Sequence, residues 1–273
     1  MPYNWIDASQ YSMNTLLLFD RWVLEYLLST RAEDGQESEQ YLALAGRALA
    51  AHPQVRWYCR IKAPATRGFI ERAMSLVPPT LSAAEARQAE IAFLQRHETF
   101  VVYAYPEAMN QVNYIRDWDP KWLDELIDLS GMVVLDVGAG TGRLSLAAAH
   151  KALRVYASEP CDVLRDFLRD EVRRRGLTNV RVLDGLVTSL PFEDATLDAV
   201  LSGHVVGDDY DAEIAEMRRI TKPGGWLVIC NGDDDFRRTG PDAELLARGF
   251  ESFVHTSPSG GIIYNYRLRV QPG

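Results

Sequence analysis

The spacing of hydrophobic and polar positions changes character near residue 130 of this chain. Before that point, apolar residues recur every three or four positions over residues 13–29, 41–52 and 82–97, which predicts amphipathic helices. The third segment starts with Ser82, and Glu85 follows three positions later, a pattern that predicts a capping box. The first part of the chain is therefore expected to be helical.

From residue 133 onwards, short β-rich runs alternate with helical stretches; the runs read VVLDV, RVYAS, VRVLDG, LDAVLSG, WLVIC, FESFVHT and GIIYNYRLRV. Strands separated by helices predict a Rossmann-like, doubly wound sheet that is mostly parallel and carries helices on both faces. Only SPSGG separates the last two runs, which is too short for a parallel crossover, so they are expected to form a C-terminal antiparallel hairpin. We predict a helical N-terminal region over 1–120 and a sheet domain over 121–273.

Composition and charge narrow the classes of partner. The 273 residues include 47% hydrophobic and 25% charged residues, as in ordinary globular proteins, and the formal net charge is −9. An acidic chain repels phosphate backbones and anionic lipid, so neither nucleic acid nor a membrane is an expected partner. The apolar run TLLLF is interrupted by Asp20 and Arg21, and the three cysteines form no CxxC pair, so a cytoplasmic location without a disulfide framework is expected.

The densest chemical signal is the segment VVLDVGAGTGRLS at 133–145. Three glycines at alternate positions follow a strand that ends in an acid, and they let the backbone turn tightly and approach a ligand closely. A plain strand-to-helix turn would need only one glycine. A dinucleotide fingerprint would need its third glycine at 143, where this chain has Arg143.

The stretch VLDVGAGTG resembles the first motif of the class I S-adenosylmethionine-dependent methyltransferases. The resemblance implies S-adenosyl-L-methionine as the cofactor, with a loop beneath its methionine portion and the strand-end acid near its amino group. The loop residues implied in this way are Asp136, Gly138, Ala139, Gly140, Thr141 and Gly142.

Glu159 closes the second predicted strand and is followed by Pro160. A carboxylate there can accept hydrogen bonds from both ribose hydroxyls of the cofactor. The alternative is an acid that caps the next helix. Together with the glycine loop, Glu159 and Pro160 are predicted to bind the cofactor.

A later stretch, from Val180 to Gly203, resembles the family segment that closes over adenine. Gly185 and the run Leu-Pro-Phe at 190–192 match, but Leu186 stands where the family has an aspartate. The adenine amino group is then expected to find a backbone carbonyl near Val187 or the displaced Asp184.

The segment after the fourth strand, SGHVVGDDYD, is expected to face the cofactor. Gly203 is predicted to contact the cofactor, and His204 is predicted to act as a base or to orient the substrate, since its ordinary pKa lies near neutrality. A histidine that only hydrogen-bonds its loop is the alternative. Asp208 and Asp209 are expected to cap the following helix rather than to catalyse.

Metal binding is the weaker interpretation of the acids after strands four and five. Some O-methyltransferases of this fold bind Mg²⁺ there, and this chain offers oxygen ligands at Asp208, Asp209, Asn231 and Asp233. Their spacing does not match the catechol-methylating enzymes, so no metal is expected.

The aromatic segment just before the sheet domain contains Tyr114 and Arg116. Most of its aromatics suit core packing, but N-terminal helices commonly cover the cofactor in the family that the chain resembles. We expect Tyr114 to lie against the sulfonium and Arg116 to reach the methionine carboxylate.

These observations predict a methyltransferase that moves a methyl group from S-adenosylmethionine to a small molecule by in-line displacement, with the helical region as acceptor pocket and lid. Two alternatives stay open: a regulatory protein that binds the cofactor without transfer, and an aminopropyl transferase on the same fold. The sequence does not identify the acceptor or the atom that is methylated. It also leaves the oligomeric state open and is compatible with a homodimer.

Overall fold

The structure is a computed structural model that describes residues 7–29, 39–234 and 238–271. The chain divides into two compact units, residues 1–105 and 106–273. Residues 106–120, which the sequence pattern groups with the helical region, fall in the second unit.

In the described residues of the first unit, the regular elements are all helices. Its α-helices are α1 (Arg21–Leu27), α2 (Glu39–Ala50), α3 (Pro53–Lys62), α4 (Arg67–Ser75) and α5 (Ala83–Arg96). Short 3₁₀ helices cover Ala8–Gln10, Met13–Leu18, Pro64–Thr66 and Glu98–Tyr103.

The continuous helix predicted over 13–29 is wrong. A 3₁₀ helix ends at Leu18, Phe19 and Asp20 are extended, and α1 starts afresh at Arg21. The Asp20 carboxylate accepts a hydrogen bond from the Arg21 backbone N–H at 3.1 Å, so this acid starts a new helix instead of continuing the old one.

The capping box predicted at the start of α5 is confirmed. The Ser82 hydroxyl accepts from the Glu85 N–H at 3.2 Å, and the Glu85 carboxylate accepts from the Ser82 N–H at 2.9 Å. Within the same unit, α2 and α4 cross closely at Gly46, where an added Cβ would lie 2.1 Å from the Ala73 carbonyl oxygen.

The second unit contains the sheet. Its strands are β1 (Val133–Val137), β2 (Arg154–Ser158), β3 (Val180–Leu183), β4 (Leu197–Ser202), β5 (Thr221–Ile229), β6 (Glu251–Thr256) and β7 (Ile262–Arg269). Its helices are α6 (Pro106–Met109), α7 (Asn113–Arg116), α8 (Lys121–Leu126), α9 (Arg143–Ala148), α10 (Asp162–Arg174), α11 (Tyr210–Ile220) and α12 (Ala243–Ala247).

The sheet has the order β3-β2-β1-β4-β5-β7-β6 in the part of the chain that the structure describes. Strands β1 to β5 pair in parallel, β7 pairs antiparallel to β5, and β6 pairs antiparallel to β7. The mostly parallel sheet with its antiparallel hairpin is therefore confirmed. Because β1 and β4 are neighbours while the chain winds outwards on either side, their carboxyl ends form the switch point of the sheet.

Helices cover both faces of the sheet, as predicted. Alternate strand residues point to opposite faces, so Val134 packs with α8, α9 and α10 while Leu135 packs with α11 and α12. The two hydrophobic layers fix the strand ends that carry the candidate site.

No helix of residues 7–29, 39–234 and 238–271 combines the length and apolar character needed to cross a membrane. The three cysteines lie within these ranges, are buried, and form no disulfide.

Candidate functional site

The glycine loop connects β1 to α9. Gly138, Gly140 and Gly142 have φ of 64°, 54° and 99°, in the left-handed region that favours glycine. Two of them are also sterically enclosed: a Cβ on Gly138 would lie 2.4 Å from Cγ2 of Val205, and one on Gly142 would lie 2.3 Å from Cδ1 of Leu168. The alternating glycines are thus required by backbone conformation and by close packing.

The two other loop residues predicted at the site are buried with the glycines. Ala139 donates its N–H to the Ser158 carbonyl at 2.9 Å, which ties the loop to the end of β2. Thr141 is 4% exposed. The loop is therefore a fixed element of the unit.

Asp136, near the end of β1, is buried and accepts two hydrogen bonds from Ser145. The Ser145 N–H donates at 2.9 Å and its hydroxyl at 2.6 Å, both to Oδ2. Burial raises the pKa of Asp136 to about 6, against these hydrogen bonds and the nearby positive charge of Arg143, which lower it. The acid that sequence reasoning assigned to the cofactor's amino group thus also holds the first turn of α9.

Glu159 lies at the end of β2, buried, with its carboxylate against the glycine loop. Oε2 accepts from the Gly140 N–H and Oε1 from the Cys161 N–H, each at 2.9 Å. Burial raises its pKa, and these backbone donors lower it. The structure therefore brings Glu159 and the loop together, a contact that the sequence did not predict, with Pro160 next to it.

The predicted adenine segment follows β3. The Gly185 carbonyl accepts a hydrogen bond from the Ser158 hydroxyl at 2.9 Å. A Cβ on Gly185 would lie 2.7 Å from the Ser158 hydroxyl oxygen. Leu186 is 38% exposed, and Val187 packs against the sheet. Asp184 pairs with Arg165 at 3.2 Å. The adenine contacts of this segment stay a prediction.

His204 follows β4 and has a φ of 61°, unusual for a residue with a side chain. Its ring Nε2 accepts a hydrogen bond from the Gly232 backbone N–H at 2.8 Å. The His204 backbone N–H donates to Oδ1 of Asn231 at 3.1 Å. Nδ1 lies 3.6 Å from the Asp234 carboxylate. Burial and then Arg143 lower the pKa of His204, whereas the Asp234 carboxylate raises it; the net direction is downwards, which favours the neutral ring.

Tyr114 and Arg116 lie together on α7, but their side chains have different surroundings. The Tyr114 ring packs on the His204 ring with centroids 4.6 Å apart, and the Tyr114 backbone approaches Gly232 so closely that a Cβ there would lie 2.3 Å from the Tyr114 carbonyl oxygen. The Arg116 guanidinium is about half exposed and bonds to Asp117 and Asn113 of its own segment. The structure brings Tyr114 to the strand ends and holds Arg116 in its own turn.

Three of the four candidate metal ligands, Asp209, Asn231 and Asp233, make separate hydrogen bonds within the protein. Asp209 caps α11 by accepting from the Ala212 N–H at 3.1 Å, as the sequence predicted. Asp233 accepts from the hydroxyls of Ser257 and Ser259, both at 2.6 Å. Across residues 7–29, 39–234 and 238–271 no cluster of three or more His, Cys, Asp or Glu side chains suits a metal ion.

Sequence reasoning missed two residues that the structure places at the loop. The Arg143 guanidinium lies over the Trp118 ring at 5.0 Å and donates from Nη2 to the Cys230 carbonyl at 3.0 Å; burial lowers its pKa. A Cβ on Gly203 would lie 2.2 Å from the same Nη2, so Gly203 makes room for this arginine. Met109 of α6 lies over Gly140, where an added Cβ would be 3.2 Å from its sulfur. Arg143 could have been noticed at the position where a dinucleotide loop has glycine; Met109 carries no sequence signal.

Comparison with known proteins identifies the same part of the chain. Residues 135–229 match the family described as "Methyltransferase domain". The demethylmenaquinone methyltransferase of Thermobifida fusca is 42% identical over 106 residues, which is 37% of this chain and 44% of that protein. That of Geobacillus stearothermophilus is 30% identical over 137 residues, 47% of this chain and 58% of that protein. The chain thus spans about half the length of the curated relatives that it matches.

A solved structure supports the fold. A SAM-dependent methyltransferase from Aquifex aeolicus is 22% identical with a TM-score of 0.50, and the match covers 62% of this chain and 98% of that one. At this identity the likeness concerns the fold of the sheet unit alone.

Proposed function

We propose that this chain transfers a methyl group from S-adenosylmethionine to a small-molecule acceptor by in-line displacement, leaving S-adenosylhomocysteine. The match of residues 135–229 to the methyltransferase domain family supports the transfer of a methyl group. The observation that carries the proposal is the buried Glu159 carboxylate, hydrogen-bonded to the glycine loop at the switch point of the sheet.

The residues present fit this cofactor. Each carboxylate oxygen of Glu159 accepts one backbone N–H and retains lone-pair capacity for a hydroxyl, which suits two neighbouring ribose hydroxyls. A Cβ at Gly138 or Gly142 would collide with neighbouring side chains, so the loop has no room for side chains larger than hydrogen there. Glu159 would hold the ribose, and the glycine loop would pass close to the methionine portion.

When bound, S-adenosylmethionine supplies an electrophilic methyl group. The chain's part is to align an acceptor atom about 3 Å from that carbon, and positioning of this kind can supply most of the rate enhancement. Nε2 of His204 is occupied by the Gly232 N–H, so the proton of the neutral ring is on Nδ1, which faces the Asp234 carboxylate at 3.6 Å. Neither ring nitrogen is left to take a proton from an acceptor, so His204 is better suited to orient an acceptor than to act as its base.

A small-molecule acceptor is supported by the names of the relatives, several of which methylate demethylmenaquinone. The helical unit is proposed to take part in acceptor binding. In support, it contains an open pocket of about 420 Å³, whose lining is both apolar and polar: Leu44, Arg47, Pro78, Thr80, Leu81, Glu85, Gln88, Ala89 and Ala92.

The test is a transfer assay with methyl-labelled S-adenosylmethionine in host extract, separated into small-molecule, protein and nucleic-acid fractions. Label in the small-molecule fraction is expected, and Glu159→Gln should weaken cofactor binding at least about tenfold, because charge-assisted hydrogen bonds are lost. Asp170→Asn, which changes an exposed acid on α10, is the matched control and should bind normally.

Other outcomes separate the alternatives. Label in protein or nucleic acid would overturn the acceptor class. Tight cofactor binding without label in any fraction would favour a regulatory protein, and preferential binding of decarboxylated S-adenosylmethionine would favour aminopropyl transfer.

The roles proposed for Tyr114 and Arg116 give a further prediction. Tyr114→Ala should weaken cofactor binding severalfold because an aromatic face near the sulfonium is removed, and Arg116→Ala should do so if its guanidinium leaves Asp117 for the methionine carboxylate. Isothermal titration measures both dissociation constants. Unchanged constants in both variants would exclude these roles.

A further inference from the structure

A chain of hydrogen bonds runs through the sheet from α8 to His204. Asn265, in the middle of β7, is fully buried, yet both ends of its side chain are bonded. Oδ1 accepts from the Asn231 backbone N–H at 2.6 Å, and Nδ2 lies 2.9 Å from Nδ1 of His255. His255 in turn places Nε2 2.9 Å from the Glu125 carboxylate.

A backbone N–H determines which atom is donor and which is acceptor in each of these hydrogen bonds. The Asn231 N–H can only donate, so the Asn265 atom facing it must be oxygen, and the amide nitrogen must face His255. His255 Nδ1 is therefore an acceptor, and its proton lies on Nε2, where it is donated to Glu125.

The Asn231 side chain connects these hydrogen bonds to His204 in the candidate site. Its Nδ2 donates to the Tyr264 carbonyl at 3.1 Å, which leaves Oδ1 to accept from the His204 N–H at 3.1 Å. His204 then accepts from Gly232 through Nε2 at 2.8 Å. The Asn231 side chain and the residue after it thus hold His204 at two points, backbone and ring.

These two hydrogen bonds explain how His204 keeps a left-handed backbone conformation. A residue with a Cβ persists at positive φ only where its surroundings determine it. The bond from the His204 N–H to Asn231 fixes the peptide, and the bond from Gly232 fixes the ring and its tautomer.

We propose that Asn231 and Asn265 are positioning residues that hold His204 with its proton on Nδ1, directed towards the Asp234 carboxylate 3.6 Å away. This inference rests on the proposed function for the role of His204 in catalysis, although the tautomer itself does not depend on that function. Asn231 acts directly on His204; Asn265 acts by holding the Asn231 backbone and by linking it to His255.

The experiment follows the five histidines by ¹⁵N NMR in the intact protein, with the His204 signals assigned by His204→Gln. Wild-type His204 is expected as the neutral Nδ1–H tautomer and His255 as the Nε2–H tautomer. Asn231→Ala should change the His204 pattern and lower kcat at least about tenfold, since a misplaced contact group costs one to two orders of magnitude, while the Kd for S-adenosylmethionine changes less than about threefold.

Two further variants separate positioning from general destabilisation. Asn265→Asp keeps an oxygen towards the Asn231 N–H and loses the donor to His255, so the His255 signals should change and those of His204 should persist. Asn179→Ala is the matched control: Asn179 is another asparagine of this unit whose amide bonds two backbone carbonyls, those of Ala149 and Ala152. Its removal should leave the His204 signals unchanged.

Several outcomes would overturn the proposal: a wild-type His204 that carries its proton on Nε2, or an unchanged His204 pattern in Asn231→Ala. The wild-type measurement decides even if Asn231→Ala fails to fold. If the wild type binds the cofactor but transfers no methyl group, the proposed function fails, whereas the NMR patterns still decide whether Asn231 and Asn265 position His204.

Discussion

The buried carboxylate of Asp136 lowers the stability of the folded protein at neutral pH. Its pKa is about 6 in the folded protein and near 3.8 in an unfolded chain, because burial disfavours the carboxylate. The folded state therefore holds its proton more tightly, so stability from this group is present below about pH 4 and is lost as the pH rises through 6. By the usual conversion the loss is about 3 kcal/mol.

Asp136→Asn should consequently raise the free energy of unfolding at pH 7.5 by roughly 1–3 kcal/mol, since the amide removes the buried charge and can still accept from Ser145. The gain should shrink as the pH is lowered towards 4. Urea unfolding of both proteins at pH 4.5 and 7.5 measures it, and a variant less stable than wild type at pH 7.5 would contradict the argument.

His204 gives a second prediction at this scale. Because burial and Arg143 lower the pKa of His204, against Asp234 which raises it, we expect the ring to stay neutral from pH 5 to 8, and the rate–pH profile should show no limb that disappears in His204→Gln. The base role, one of the two roles that the sequence predicts for His204, would instead give such a limb near neutrality. Steady-state rates across this range decide between a base and an orienting donor.

The glycine loop allows a prediction at the scale of the element. Gly138 and Gly176 have the same φ of 64°, but a Cβ would meet Val205 at Gly138 and open space at Gly176. Gly176→Ala should cost about 1 kcal/mol, the price of a left-handed alanine. Gly138→Ala should lower the free energy of unfolding by more than that and should also weaken S-adenosylmethionine binding. Thermal unfolding and titration measure the two effects. Equal losses of stability in the two variants would show that the Val205 side chain moves aside without cost.

Elements whose signals are local could be predicted from the sequence. The strands, the hairpin and the Ser82 capping box depend on residues a few positions apart, and they appear where expected. The helix over 13–29 failed because its apolar spacing was weighed above Asp20, whose capping carboxylate is an equally local signal. Contacts such as Met109 on Gly140 or Asn265 on Asn231 join distant segments, and no local pattern encodes them.

At the scale of the whole molecule, the formal charge of −9 predicts poor association with polyanions. Fluorescence anisotropy of a labelled DNA duplex should show no binding at micromolar protein even at about 50 mM salt, where phosphate contacts are strong. Saturable binding that weakens with salt would point to a local basic surface and reopen nucleic acid as an acceptor.

The cofactor half of the proposed site gives more sequence signal than the acceptor half. The order of motifs over residues 131–233 predicts the loop and Glu159 as cofactor-binding residues, because these motifs are short contiguous stretches. The surroundings of His204 come from β4, β5, β7 and α7, so their meeting depends on the finished sheet.

The position of β7 between β5 and β6 also bears on how the protein is made. Asn265 leaves the ribosome 34 residues after Asn231, which corresponds to roughly 2–7 s of synthesis. During that interval the parallel strands β1 to β5 can already pair, but β5 presents a bare edge that other nascent chains could extend. Pairing of β7 would cover that edge and supply Asn265 in one step, so protection from aggregation and completion of the His204 environment would be gained together.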